Sequence, residues 1–222
     1  VEISRPEFVL VENVLNLLRL ERGDAMRSIL GDFEKLGYRW AYRVIDTRGF
    51  GIPQRRMRVV ILATNGERDP GGILLPPSQM EEFVDPIQDL DYSNDYGFYW
   101  TEGKRGIGWA VNSVPTIKGG SGLGIPSAPA VFSMRHQVAG TISIEDAERL
   151  QGFPTGWTDV PEVRREGDRW RLVGNAVTVP LSSWISKRLA VSSSANSMPQ
   201  GEIYDHKGPL PKAAFGSQGR WH

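Results

Sequence analysis

Apolar residues along the first third of the chain alternate between two periods. Glu7-Phe8-Val9-Leu10-Val11 is a short apolar run closed by the polar pair Glu12-Asn13. It reads as a buried strand with functional groups at its carboxyl end. Ala25, Ile29, Leu30, Phe33 and Leu36 then recur at helical spacing, so a helix is expected over 21–36, with Gly37 as its left-handed stop. Residues 38–45 and 59–63 return to strand character. The stretch between them carries Gly49, Gly51 and Pro53 and reads as a loop. Strand, helix, strand predicts the edge of an α/β sheet with parallel pairing.

Residues 66–140 differ. Gly, Pro, Ser and Asp are dense there, helical periodicity is missing, and Gly119-Gly120-Ser121-Gly122-Leu123-Gly124 lies inside. This predicts a small domain, mostly β or irregular. Regular structure resumes at Ser143, which with Asp146 makes a capping-box-like start. That helix should run to about Gln151, with Gly152 as its stop and Pro154 beyond. A last helix is expected from about Val179 to Leu189, with Pro180 tolerated in its first turn. The Ser-, Gly- and Pro-rich residues 191–222 read as a tail. The domain reading is therefore 1–65, 66–157, 158–190 and the tail.

Composition changes this picture little. Apolar residues are 40% and charged residues 23% of 222, ordinary for a globular chain. Gly (25) and Pro (15) exceed common usage, which favours long irregular stretches. Lys+Arg and Asp+Glu balance at 26 each, so any affinity for a polyanion must come from local clusters such as Arg55, Arg56 and Arg58. No apolar run is long enough to span a bilayer, and the first residues lack a secretory pattern. There is no Cys, which excludes disulfides and Cys-based metal sites, and the three His are scattered. These features fit a cytoplasmic protein of bacterial or phage origin.

Four short runs carry the chemistry: Glu12-Asn13-Val14; Gln54-Arg55-Arg56-Met57-Arg58; Arg149-Leu150-Gln151-Gly152-Phe153-Pro154; and Gly174-Asn175-Ala176-Val177. In that order the chain resembles the second half of the cytosine-5 DNA methyltransferase family, from about Glu7 to Leu189. The resemblance implies the C-terminal part of a Rossmann-like methyltransferase sheet with a small target recognition domain. It implies S-adenosylmethionine as cofactor, double-stranded DNA as partner, and methyl transfer to carbon 5 of a flipped cytosine.

The residue types suit that chemistry. A carboxyl at the end of a buried strand can share a proton near neutrality, because desolvation disfavours its charged form. By resemblance Glu12 serves ring nitrogen 3 of the cytosine, and Asn13 fixes the loop. Gln54, Arg56 and Arg58 alternate and should project to one face. Arg keeps its charge and can hold an oxygen acceptor and a carboxylate together. The resemblance puts Arg58 beside the cytosine carbonyl and Glu12, and makes Arg56 a support for the site or a phosphate. Gln54 and the Thr116-Ile117 pair fall among the DNA contacts, with Lys118 for a phosphate and Gly119 for close backbone approach. Asn175, Ala176 and Val177 are expected to border the cofactor. The Arg149–Pro154 run is expected to be architectural, with Phe153 and Trp157 packing.

The family attacks cytosine with a cysteine from a Pro-Cys motif that, like its glycine-rich cofactor loop, precedes the Glu-Asn-Val motif. Neither is in this chain. Catalysis then requires a complementary methyltransferase half, as a separate subunit or a missing N-terminal segment. A strand of that half is expected to pair beside Val9. The alternative is an inactive DNA-binding or regulatory module derived from such an enzyme.

Overall fold

The computed structural model describes residues 1–75, 91–99, 108–119, 127–191, 201–205 and 208–222. The chain folds into two units, each drawn from separated stretches. The first takes Val1–Ile45, the stretch from Met57 through the helix at 70–74, and Ser183–His222. The second takes Asp46–Arg56 and the described residues from 91 to Ser182. The contiguous boundaries read from sequence miss this interleaving, because Asp46–Arg56 looks like a linker yet bonds to residues 53 to 120 positions onward.

The first unit is a five-stranded sheet in the order β1-β4-β2-β10-β11. Here β1 is Phe8–Val14, β2 Arg39–Asp46, β4 Met57–Thr64, β10 Ala213–Ser217 and β11 Arg220–Trp221. The expected parallel pairing is corrected: β1 runs antiparallel to β4, from Phe8 opposite Thr64 to Val14 opposite Arg58. β4 is buried on both faces, which is why its Val59-Val60-Ile61-Leu62-Ala63 run is uninterrupted rather than alternating. Helix α1 (Asp24–Lys35) buries Met26, Leu30 and Phe33 against Trp40, Tyr42, Val59 and Ile61. It starts three residues later than expected because Glu21, Arg22 and Gly23 are left-handed (φ 51°, 57° and 93°). Gly37 takes the anticipated positive φ of 79° after the helix. Short helix α2 (Pro70–Leu74) begins on an Asp69 carboxylate that accepts from Gly72 N at 2.7 Å.

The predicted tail is also corrected. Residues 213–221 form β10 and β11, and β10 pairs antiparallel with β2. Aromatic burial drives this. Trp221 packs edge-on to Trp40 with ring centroids 4.9 Å apart, and the indole N–H groups of both donate to Glu34 Oε1 at 3.0 and 2.9 Å. Two aromatic residues outweigh the Gly- and Ser-rich composition around them.

The second unit carries a four-stranded antiparallel sheet, β6-β5-β8-β9, from Asp95–Phe98 (β5), Ala110–Val111 (β6), Ala130–Ser133 (β8) and Val138–Thr141 (β9). This agrees with the mostly β character expected of 66–140. Of its glycine-rich run, Gly119 lies within the described residues and 120–124 outside them. A two-stranded parallel pair joins β3 (Gln54–Arg55) to β7 (Val114–Pro115). Helix α3 (Ile144–Leu150) has the full Ser143/Asp146 capping box. Helix α4 (Glu166–Asn175) was not anticipated: its charged residues conceal the inward pair Trp170 and Val173, which pack with Ile117, Ile144 and Ala147. Helix α5 spans Val179–Val191, with Pro180 in its first turn.

Candidate functional site

β1 does not end before Glu12 but continues through Val14, so Glu12 stands inside a strand, opposite Val60. Arg58 is opposite Val14, which makes it the diagonal cross-strand neighbour of Glu12 on the same face. Arg58 Nε lies 2.8 Å from Glu12 Oε1. The arginine side chain is 10% exposed and the carboxylate 27%. The carboxylate is therefore less dry than the sequence suggests. Arg58 Nη1 also donates to Met57 O at 2.9 Å. Burial pulls the Arg58 pKa below its ordinary value, and the Glu12 charge offsets part of that. Asn13 Oδ1 accepts from Val14 N at 2.8 Å, fixing the strand's exit. The pair is a held cation with a carboxylate open to a third group.

Arg56, two residues earlier, is placed quite differently. It falls between β3 and β4, is 2% exposed, and belongs to the second unit. The single face expected for Gln54, Arg56 and Arg58 is thereby corrected, because the strand breaks at Arg56. Its guanidinium donates to Ile117 O (3.3 Å), Gly174 O (3.1 Å) and Ala176 O (2.8 Å). It ties the segment after Thr116 to the segment around Asn175. Gly174 completes this joint by its lack of a side chain. A Cβ there would stand 2.3 Å from Gly119 N and 2.5 Å from Lys118 C. Only glycine permits two backbones that close.

Gln54 is fully buried. Its Nε2 donates to Leu150 O at 2.7 Å and its Oε1 accepts from Ile117 N at 3.0 Å. The DNA contact expected of Gln54 is corrected on that ground: with no exposure and both polar atoms engaged, it positions Ile117 instead. Thr116 Oγ1 donates to Arg55 O at 2.8 Å, and Tyr99 OH donates to Thr116 O at 2.8 Å. Lys118 is exposed, with Nζ 4.3 Å from the centroid of the Tyr99 ring, and partial burial lowers its pKa. Asn175 is exposed at the end of α4, Ala176 is half-buried, and Val177 is 38% exposed. Thr116, Lys118, Gly119, Asn175 and Ala176 thus share one neighbourhood organised by Arg56 and Gly174.

The Arg149–Pro154 run has the architectural form expected of it. Gln151 is buried, with Nε2 donating to Val173 O at 2.8 Å and Oε1 accepting from Thr178 Oγ1 at 2.9 Å. Phe153 stacks on Trp157 at 5.6 Å, with the latter 59% exposed. Sequence reasoning missed Glu148. Its fully buried carboxylate accepts from Thr158 N and Oγ1 (2.8 and 2.5 Å), Gly156 N (2.5 Å) and Arg169 Nη2 (3.1 Å). Desolvation pushes this carboxyl up, but the hydrogen bonds outweigh it and hold its pKa below the usual range. The only signal for it was a Glu on the inward face of a capped helix.

A family model described as C-5 cytosine-specific DNA methylase matches residues 1–94. The Type II methyltransferase M2.BsuMI of Bacillus subtilis is 48% identical over 223 residues, covering 96% of this chain and 55% of that protein. M.BsuFI, also a Type II methyltransferase of Bacillus subtilis, is 28% identical over 199 residues, covering 80% of this chain and 46% of that protein. Among solved structures, the S. pombe Dnmt2 methyltransferase superposes with a TM-score of 0.51 at 20% identity, over 83% of this chain and 68% of that one. The Entamoeba histolytica methyltransferase EhMeth does so at 0.51 and 12%, over 84% and 63%. These two share the fold. The chain spans about half the length of the curated relatives it matches. The chain is thus similar, over nearly all of its length, to roughly half of a cytosine-5 DNA methyltransferase.

Proposed function

We propose that the chain is one part of a DNA (cytosine-5-)-methyltransferase of the restriction-modification type. It acts on a cytosine swung out of duplex DNA, with a complementary half that brings the nucleophilic cysteine. The observation that carries this reading is the Glu12–Arg58 pair, 2.8 Å apart on one strand face. Carbon 5 of cytosine is a weak nucleophile. A thiolate adding to carbon 6 makes it enamine-like, and the electron pair displaced toward ring nitrogen 3 needs a proton there. Glu12 is the group that holds that proton. Arg58 meets the base's carbonyl oxygen and keeps the carboxyl aimed. Extruding the base costs a few kcal/mol, recovered from contacts to the neighbouring strand. Thr116, Lys118 and Gly119 belong to that contact surface, and Arg56 holds their segment in place.

S-adenosylmethionine supplies a methyl group made electrophilic by a sulfonium centre. Asn175, Ala176 and Val177 fit a border for it. An exposed amide offers a donor and an acceptor to its polar end, and two small apolar side chains suit its uncharged surface.

The complementary half is supported by β1. Among the described residues it is an edge strand with β4 on one side, and it leaves Leu10 48% and Val14 50% exposed. An open edge beside exposed apolar side chains favours another strand.

The test is transfer of a labelled methyl group to cytosine in duplex DNA by this chain combined with its complementary half, wild type against Glu12→Gln. Transfer that needs both halves and falls at least a hundredfold in the variant supports the reading. Full transfer by Glu12→Gln, or none with any partner, overturns it.

A further inference from the structure

A second basic feature lies outside everything assigned above. Following β1, the chain makes two short turns (15–18 and 20–23) before α1. There it walls an open cleft of about 540 Å³, lined by Arg19, Arg22, Asp24 and Arg27 and closed on one side by Gly208 and Pro209. The size is that of a small-ligand site, and three arginines and one aspartate stand beside its apolar Leu18 and Pro209 lining.

Arg27 is the fixed wall. It donates to Arg22 O (2.9 Å), Asp24 Oδ1 (3.2 Å), Tyr204 OH (3.2 Å) and Gly208 O (2.9 Å). Asp24, the one acid of the lining, is engaged by it. Arg19 and Arg22 are exposed, and among the described residues neither guanidinium has a partner. The backbone that presents Arg22 is costly. Glu21 and Arg22 both sit in the left-handed region at φ 51° and 57°, immediately before Gly23 at φ 93°. A side chain disfavours that conformation, and strain of this kind gathers where geometry serves a ligand.

We propose that this cleft holds a phosphate of the DNA backbone. The inference rests on the methyltransferase reading for the identity of its polyanion. Two unpartnered guanidiniums are suited to phosphate oxygens, because the planar fork donates twice and keeps its charge. The cleft stands beyond the carboxyl end of β1, where Val14 pairs with Arg58. It therefore lies at the same end of the sheet as the acid–arginine pair. An open groove also suits a continuous backbone better than an enclosed small anion.

The test measures duplex binding by the assembled methyltransferase as a function of salt, for wild type, the double variant Arg19→Ala/Arg22→Ala, and Arg22→Gly. Each lost phosphate contact makes the slope of log K against log salt shallower by about one. The double variant, which gives up that one phosphate, is expected to lose about one. Arg22→Gly is expected to lose less than that while melting at a higher temperature, since glycine relieves the left-handed strain. A merely structural arginine would not separate affinity from stability in that way. An unchanged slope in the double variant overturns the proposal. So does an unchanged slope with loss of a melting shift produced by inorganic phosphate, which assigns the cleft to a free phosphate compound. So does an unchanged slope with loss of assembly, which assigns it to the complementary half. A shallower slope in an assembly that transfers no methyl group upholds the cleft and sinks the methyltransferase reading alone.

Discussion

Arg56 and Arg58 come from one five-residue motif, and the regions around them are opposites. Around Arg58 the structure is open: one carboxylate, still 27% exposed, faces the guanidinium, and a third group has room to join. Around Arg56 it is closed: three carbonyls from two distant segments converge on a cation that is 2% exposed. Equal charge gives unequal roles because the acceptors differ. A carbonyl can only be satisfied, whereas a carboxylate can also exchange a proton. Arg56 joins segments, and Arg58 pairs with an acid.

This contrast predicts which variants lose activity and which lose stability. The largest effect belongs to the open region. Glu12→Gln is expected to lower methyl transfer by the assembled enzyme about 10²- to 10⁴-fold, the range for a lost general acid. Its unfolding midpoint should stay near the wild type. Arg58→Met should fall similarly in the transfer assay with a modest change in stability. If either variant loses activity only in proportion to lost folded protein, the contrast fails.

The closed region comes next. Arg56→Met strips three carbonyls of their donor and is expected to cost roughly 3 kcal/mol or more in denaturant unfolding. A variant as stable as wild type would show the joint to be dispensable. Gly174→Ala forces a Cβ into the Lys118–Gly119 backbone and should cost about 1–3 kcal/mol by the same measurement.

The smallest effect is a pH dependence at Glu148. Its folded-state carboxyl titrates below the unfolded value of about 4.3. Its contribution is therefore complete above that pH and lost as pH falls through the folded value. Glu148→Gln should be less stable than wild type at pH 7, and the gap should close on acidification. A gap independent of pH would assign Glu148 a purely steric role.

Much of this was legible in the sequence because it is local. The strand cores of β1, β2 and β4, the Ser143/Asp146 cap and the Gly37 stop follow from periodicity and backbone stereochemistry. Those forces act within a few residues. Helix α4 escaped because its inward side chains, Trp170 and Val173, are too few to set a period among charged neighbours. β10 escaped because its partner β2 lies some 170 positions away, and β11 forms only as a hairpin on β10.

By itself the sequence determined which residue types are available: an acid after an apolar run, three arginines in a row of five, and no thiol. It also determined the order in which they occur, and that order points to the family. Tertiary structure alone decided that Arg58 meets Glu12 while Arg56 is sealed against carbonyls. A guanidinium's role depends on which acceptors long-range packing brings within about 3 Å of it, and no local rule encodes that distance.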